Sequence, residues 1–117
     1  MATIKSHTDL LQSKKLAKIL PIKSADMHYI IMGDDEDPQT IVGLGEYIGI
    51  LPTIPCWSLA VLLDILPDRT CVYKKSYKDG RVKYKGVAKG CKELILKDNP
   101  IDACYEMILN LHEQKLL

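Results

Sequence analysis

Apolar positions along this chain fall into two rhythms, a helical one near the start, the middle and the end, and an extended one between. In "DLLQSKKLAKIL" Ser13, Leu16, Ala17 and Leu20 share one helical face with lysines opposite. Thr8 or Asp9 supplies a cap for this helix, and Pro21 ends it. "ADMHYIIM" is rich in β-formers, too short for a helix and bounded by Gly33, which predicts a strand over 26–32. The acidic run "GDDEDPQ" is a loop by composition. In "TIVGLGEYIGIL" residues 40–42 and 46–48 look extended while glycines interrupt them, which predicts a strand with a bulge or bend.

Pro52 and Pro55 argue against regular strand pairing just before "IPCWSLAVLLDILP". This stretch, 54–67, reads as a helix capped by Ser58 and stopped by Pro67. Its apolar side chains go all the way round, which predicts contact on more than one side, either between layers of the same chain or against another chain. Beyond it, "RTCVYKKSYKDGRVKYKG" holds two β-branched and aromatic runs joined at Asp79-Gly80, a strong hairpin signal. "CKELILK" adds a third strand, with Leu94 and Leu96 expected on one face and Ile95 on the other. The last element is a helix with Asp98 or Asn99 as cap, Pro100 in the first turn and Asp102 complementing the helix dipole. Its stripe is Ile101, Cys104, Tyr105, Ile108, Leu111 and His112, and it should lie across a sheet.

The resulting order, α-β-β-α-β-β-β-α, groups its strands and so predicts an α+β fold: one two-layer domain over 1–117, a mainly antiparallel sheet with helices on one face. A chain of 117 residues suits one core, and 47% apolar with 26% charged residues is ordinary for a globular domain. The core is expected to include Leu16, Leu20, Tyr29, Ile31, Trp57, Leu59, Leu62, Leu63, Leu66, Val72, Leu94, Leu96, Ile101, Cys104, Ile108 and Leu111. No apolar run is long enough to span a bilayer, and the N-terminus shows no secretory h-region. A cytoplasmic protein is therefore expected.

Charge changes the picture more locally than globally. Residues 1–70 carry six cations against nine carboxylates, net −3, and residues 71–117 carry ten against six, net +4. The excess concentrates at 74–92, with eight cations and one acid, Asp79. Within the hairpin region 73–92, Tyr73, Lys75, Tyr77, Arg81, Lys83, Tyr84 and Lys85 are candidates for binding single-stranded nucleic acid, because cations neutralise phosphates and tyrosines stack on unpaired bases. A solvated strand face guarded by lysines gives the same pattern.

Other chemistry is weaker. Cys56, Cys71, Cys91 and Cys104 are 15, 20 and 13 residues apart, with no C-x-x-C pair, so neither zinc nor a disulfide is expected. Cys56 at a helix start can have its pKa lowered and so gain thiolate character, but His7, His28 and His112 have no spacing that recommends them as the base a cysteine hydrolase needs. Gly43, Gly45 and Gly49 miss the G-x-G-x-x-G spacing by one residue. Asp34, Asp35, Glu36 and Asp37 lack the alternating ligand spacing of a calcium loop. No catalytic residue, cofactor or metal is expected.

The stretches "KKLAKILP", "SADM", "IPCWSLAVLLDILP" and "DNPIDACYEMILNLHEQKLL" together resemble a group of small uncharacterised proteins encoded by phages and prophages of gut anaerobic bacteria. Members of that group join a C-W-S-L-x-x-L-L-x-x-L-P helix to a β-rich middle and close with D-N-P-x-D-A-C-Y-E-M-[IL]-x-x-L-H-E. The group has no assigned activity, so the resemblance carries over no site residue. It implies a mobile-element accessory protein in the cytoplasm of a bacterial host. Read this way, the chain is a non-enzymatic interaction module whose partner is an unknown protein or a second copy of itself, with Trp57, Leu116 and Leu117 as contact candidates. The alternative is nucleic-acid binding through the tyrosine-lysine hairpin; no membrane partner is expected.

Overall fold

In a computed structural model of the protein, residues 5–30, 39–42 and 53–117 are described. The elements in chain order are α1 (Leu10–Leu16), a 3₁₀ turn (Ile22–Ser24), β1 (Met27–Ile30), β2 (Gln39–Val42), β3 (Thr53–Cys56), α2 (Leu59–Ile65), β4 (Cys71–Ser76), β5 (Val82–Val87), β6 (Ile95–Lys97) and α3 (Pro100–Glu113). The fold is α+β, and all strand pairing among the described residues is antiparallel. The strands divide into two sheets of three, in the orders β2-β1-β3 and β4-β5-β6. The chain likewise divides into two compact units, one of residues 7–61 and one of residues 1–6 with 62–117, the boundary falling inside α2.

In the 7–61 unit, α1 begins at a capping box. Asp9 accepts from the Gln12 amide at 2.8 Å, and the Gln12 side chain accepts from the Asp9 amide at 3.1 Å. The helix is shorter than its sequence pattern, ending at Leu16, with Ala17 as the exposed C-cap rather than part of the buried face. In β1 it is His28 and Ile30 that are buried, while Tyr29 is half-buried. Period-2 geometry puts neighbours on opposite faces, so the expected burial of Tyr29 is corrected by one residue. Ile31 lies outside the described residues, as do 33–38 and 43–52 with the acidic run and the glycine motif.

The proline argument also needs correction, because residues 53–56 do form a strand: β3 pairs with β1, Pro55 facing His28. Among the described strands β3 lies at the edge of its sheet, where an N–H on the outer side has no ladder partner to lose. The segment 54–67 is thus strand to Cys56 and helix from Leu59 to Ile65. Trp57, at the junction, is fully buried, and its indole N–H donates to the Ser24 hydroxyl at 2.9 Å.

A buried polar cluster holds this junction to the start of α1. Thr8 donates its amide to the Trp57 carbonyl at 2.9 Å, and its hydroxyl accepts from the Trp57 amide at 3.1 Å. The same hydroxyl pairs with Ser13 at 2.7 Å, and the Thr8 carbonyl accepts from the Tyr29 hydroxyl at 2.7 Å. A buried cluster satisfied in this way specifies one arrangement of the chain entry against the strand end.

At α2, Ser58 accepts from the Val61 amide at 3.4 Å, as expected of the cap, while Asp26 accepts from the Ser58 amide at 2.9 Å. The helix buries Leu62 and Leu66 and leaves Ala60 and Asp64 exposed, with Leu63 39% exposed. Burial all round was the expectation; within the helix Leu62 is buried, Leu59, Val61 and Ile65 are half-buried, and Ala60, Leu63 and Asp64 form an open side.

In the second unit, α3 packs on one face of β4-β5-β6. Asn99 caps it by accepting from the Asp102 amide at 2.9 Å, with Pro100 in the first turn. Ile101, Ala103, Cys104, Met107, Ile108 and Leu111 form its buried stripe, and His112 is exposed. Gly86 is what lets the helix come down on the sheet, since a Cβ there would sit 2.9 Å from the Met107 thioether and 3.1 Å from Ile95. Ile95 faces Gly86 across the ladder and is buried, whereas Leu94 is 73% exposed, so the expected phase of the third strand is reversed.

The C-terminus of α3 closes in a Schellman motif. Lys115 holds φ +59 and donates to the His112 carbonyl at 2.9 Å, and Leu116 donates to the Leu111 carbonyl at 2.9 Å. Leu116 and Leu111, the two apolar residues of the motif, both border the space beside Gly90.

Candidate functional site

The hairpin predicted at Asp79-Gly80 is formed by β4 and β5. Tyr77 donates its amide to the Arg81 carbonyl at 2.9 Å, and Gly80 donates to the Tyr77 carbonyl at 3.0 Å with φ +90. This is a tight turn closed by a left-handed glycine, and it sets the pairs Ser76 with Val82 and Lys75 with Lys83. Residues directly opposite share a face, so the register sorts the side chains. Val72, Gly86 and Ile95 lie toward α3, and so do Lys74, Tyr84 and Lys97. Cys71, Tyr73, Lys75, Lys83, Lys85, Val87 and Leu96 lie on the other face.

Four of the seven candidate nucleic-acid residues, Tyr73, Lys75, Lys83 and Lys85, therefore come together on the face away from α3. Tyr73 is 44% exposed there, directly across from Lys85. Tyr77 and Arg81 sit at the hairpin tip, where the Tyr77 ring is engaged by the Lys75 ammonium at 5.5 Å and the Arg81 guanidinium at 4.9 Å. Tyr84 is placed apart from the rest, on the helix-facing side and half-buried. Residue parity separates it: 73, 75, 83 and 85 are odd, and the tight turn keeps that parity across the hairpin.

Counter-charges trim the patch. Arg81 pairs with Asp79 at 2.7 Å, and Lys83 pairs with Asp98, just past the end of β6. Lys75 and Lys85 form no ion pair among the described residues. Lys75 and Lys83 stand directly opposite one another, a like-charge arrangement that an anion laid across the face would relieve. Sequence reasoning missed Asp98 as a tuning residue and the apolar share of this face, Val87 and Leu96; both follow from register, which composition does not reveal.

Trp57, a candidate for partner contact, is corrected by its burial: the residue is fully buried and offers no surface. Leu116 and Leu117 are exposed, Leu116 by 54%. Cys56 is buried in a strand rather than at a helix N-terminus, and burial first, then the Asp26 carboxylate, pushes its thiol up to about 12. Burial alone pushes Cys104 to about 12. Both are protonated packing thiols. Among the described residues no cluster of metal-ligating side chains occurs, and no helix is long and apolar enough to cross a membrane. No protein-family model, curated protein or solved structure matches this chain.

Proposed function

We propose that this chain is a non-enzymatic binding module whose contact surface is the outer face of β4-β5-β6, and that its ligand is single-stranded nucleic acid. The observation that carries this reading is the gathering of Tyr73, Lys75, Lys83 and Lys85 on the one sheet face that α3 does not cover. An exposed tyrosine flanked by ammonium groups offers a base a stacking surface and its phosphates a counter-charge. A mobile-element accessory role in a bacterial cytoplasm is the setting that the sequence resemblance supplies.

Fluorescence anisotropy of a labelled oligothymidylate tests it. With Lys75, Lys83 and Lys85 each meeting one phosphate, log K should fall against log salt with a slope of roughly −2. Tyr73→Ala should cost about 1–3 kcal/mol of binding. Absence of binding at low salt, or affinity unchanged in the Lys75→Glu, Lys85→Glu double variant, would remove the reading. The apolar part of the same face, with Val87 43% exposed beside Tyr73 and Leu96, favours a protein partner as the second reading, a second copy of the chain included. That association would be nearly insensitive to salt and weakened by Val87→Lys, and its signature would be a particle mass above 13.2 kDa in light scattering.

A further inference from the structure

The second unit contains a pocket of about 550 Å³ at the end of the sheet opposite the hairpin tip, lined by Pro67, Asp68, Arg69, Lys89, Gly90 and Leu116. Its volume lies in the range of small-molecule sites, and its wall combines apolar surface with a few convergent charges. Two turns of unusual backbone frame it. Gly90 holds φ +91, and a Cβ there would come within 2.5 Å of Leu116 Cδ1, so the glycine is what allows Leu116 to form a wall. Arg69 holds φ +68, in the turn where Thr70 donates back to the Pro67 carbonyl at 3.3 Å.

A long, branched cation in the left-handed region carries a strain that glycine would not, and a hydrogen-bonded turn alone does not call for arginine there. Its side chain is what distinguishes it. Neither Arg69 nor Lys89 forms an ion pair among the described residues, although both border the same cavity as Asp68. Two cations against one carboxylate leave the pocket with one net positive charge. Leu116, 54% exposed and held in place by the helix-terminal motif, faces the same space with Pro67.

We infer that this pocket binds a small organic monoanion: an apolar body lying against Leu116, Pro67 and Gly90, and a carboxylate received by the Arg69 fork with Lys89 beside it. A guanidinium receives a carboxylate through two parallel N–H bonds, which fixes orientation as well as charge. The assignment is independent of the sheet-face reading and uses none of its residues.

Amide-resolved NMR titration of the full chain tests it with three probes: 4-phenylbutyrate, the neutral 4-phenylbutan-1-ol, and acetate. Phenylbutyrate should give saturable shifts at Arg69, Lys89, Gly90 and Leu116, while the alcohol and acetate bind at least about tenfold more weakly, each lacking one half of the recognised chemistry. Arg69→Gly should lose about tenfold in phenylbutyrate affinity while its thermal midpoint stays level or rises, because glycine relieves the backbone. Lys89→Ala should show a smaller loss. Equal binding of acid and alcohol, absence of saturable shifts at these amides, or undiminished affinity in a folded Arg69→Gly variant would overturn the assignment.

Discussion

Replacing Thr8 by valine removes one oxygen from the centre of the 7–61 unit without changing the shape of the side chain. Thr8 is fully buried, and its hydroxyl is the acceptor that the Trp57 amide uses, at 3.1 Å, and the partner of Ser13 at 2.7 Å. Ser13 keeps a weak alternative in the Thr8 carbonyl at 3.4 Å, but the Trp57 amide keeps none in this geometry. A buried donor left unpaired costs about 1–3 kcal/mol, and weakening the Ser13 bond adds about 0.5 kcal/mol, so Thr8→Val should destabilise by roughly 2–3 kcal/mol. Thr8→Ser keeps the oxygen and gives up one methyl, for about 1 kcal/mol. Trp57 is the chain's single tryptophan and sits inside the cluster, so its fluorescence during urea unfolding reports this unit directly. With a slope of about 1–2 kcal/mol per molar, the valine variant's midpoint should drop by roughly 1–3 M and the serine variant's by about 0.5–1 M. Equal drops for the two would mean that methyl packing, not the hydrogen-bonded hydroxyl, holds the junction, and the argument would fail.

Three further outcomes are expected. Lys115 occupies the left-handed residue of the α3 terminus at φ +59, so Lys115→Gly should stabilise by about 0.5–1 kcal/mol, read as a thermal midpoint a few degrees higher; a lower midpoint would contradict the strain argument. Alkylation of the native protein should modify exposed Cys71 and half-exposed Cys91 quickly and Cys56 and Cys104 only on unfolding. The buried pair also sets an alkaline limit. Burial holds both thiols at about 12, above the ordinary thiol value of 9.0, so the unfolded chain releases these protons first, and stability should be intact below pH 9.0 and decline as pH rises toward 12. Rapid labelling of Cys56 in the folded state, or stability unchanged across that window, would show the thiols are not sealed.

Local signals survived into the structure where they concern a few adjacent residues. The capping box at Asp9 and Gln12, the Asn99-Pro100 start of α3 and the Asp79-Gly80 turn all depend on atoms within about four positions of one another, and each formed as its residues specify. Signals that depend on which neighbour arrives were misread. Pro55 is tolerated only because β3 ends its sheet, and Leu94 is outside because Met107 and Gly86 claim Ile95 for the inner face. Leu63 looked as buried as Leu62, yet the two project to different sides of a helix covered on one.

The candidate site shows the same division. Composition alone located the basic hairpin and its tyrosines, since a charge excess and a turn signal are properties of the chain itself. Their faces were settled by register and by the side on which α3 packs, which set Tyr84 apart and drew Asp98 beside Lys83. The Arg69-Lys89 pocket had no local signature at all. It exists because turns some twenty residues apart meet the end of α3, and a meeting of that kind is decided by tertiary packing, whose partners no window along the chain contains.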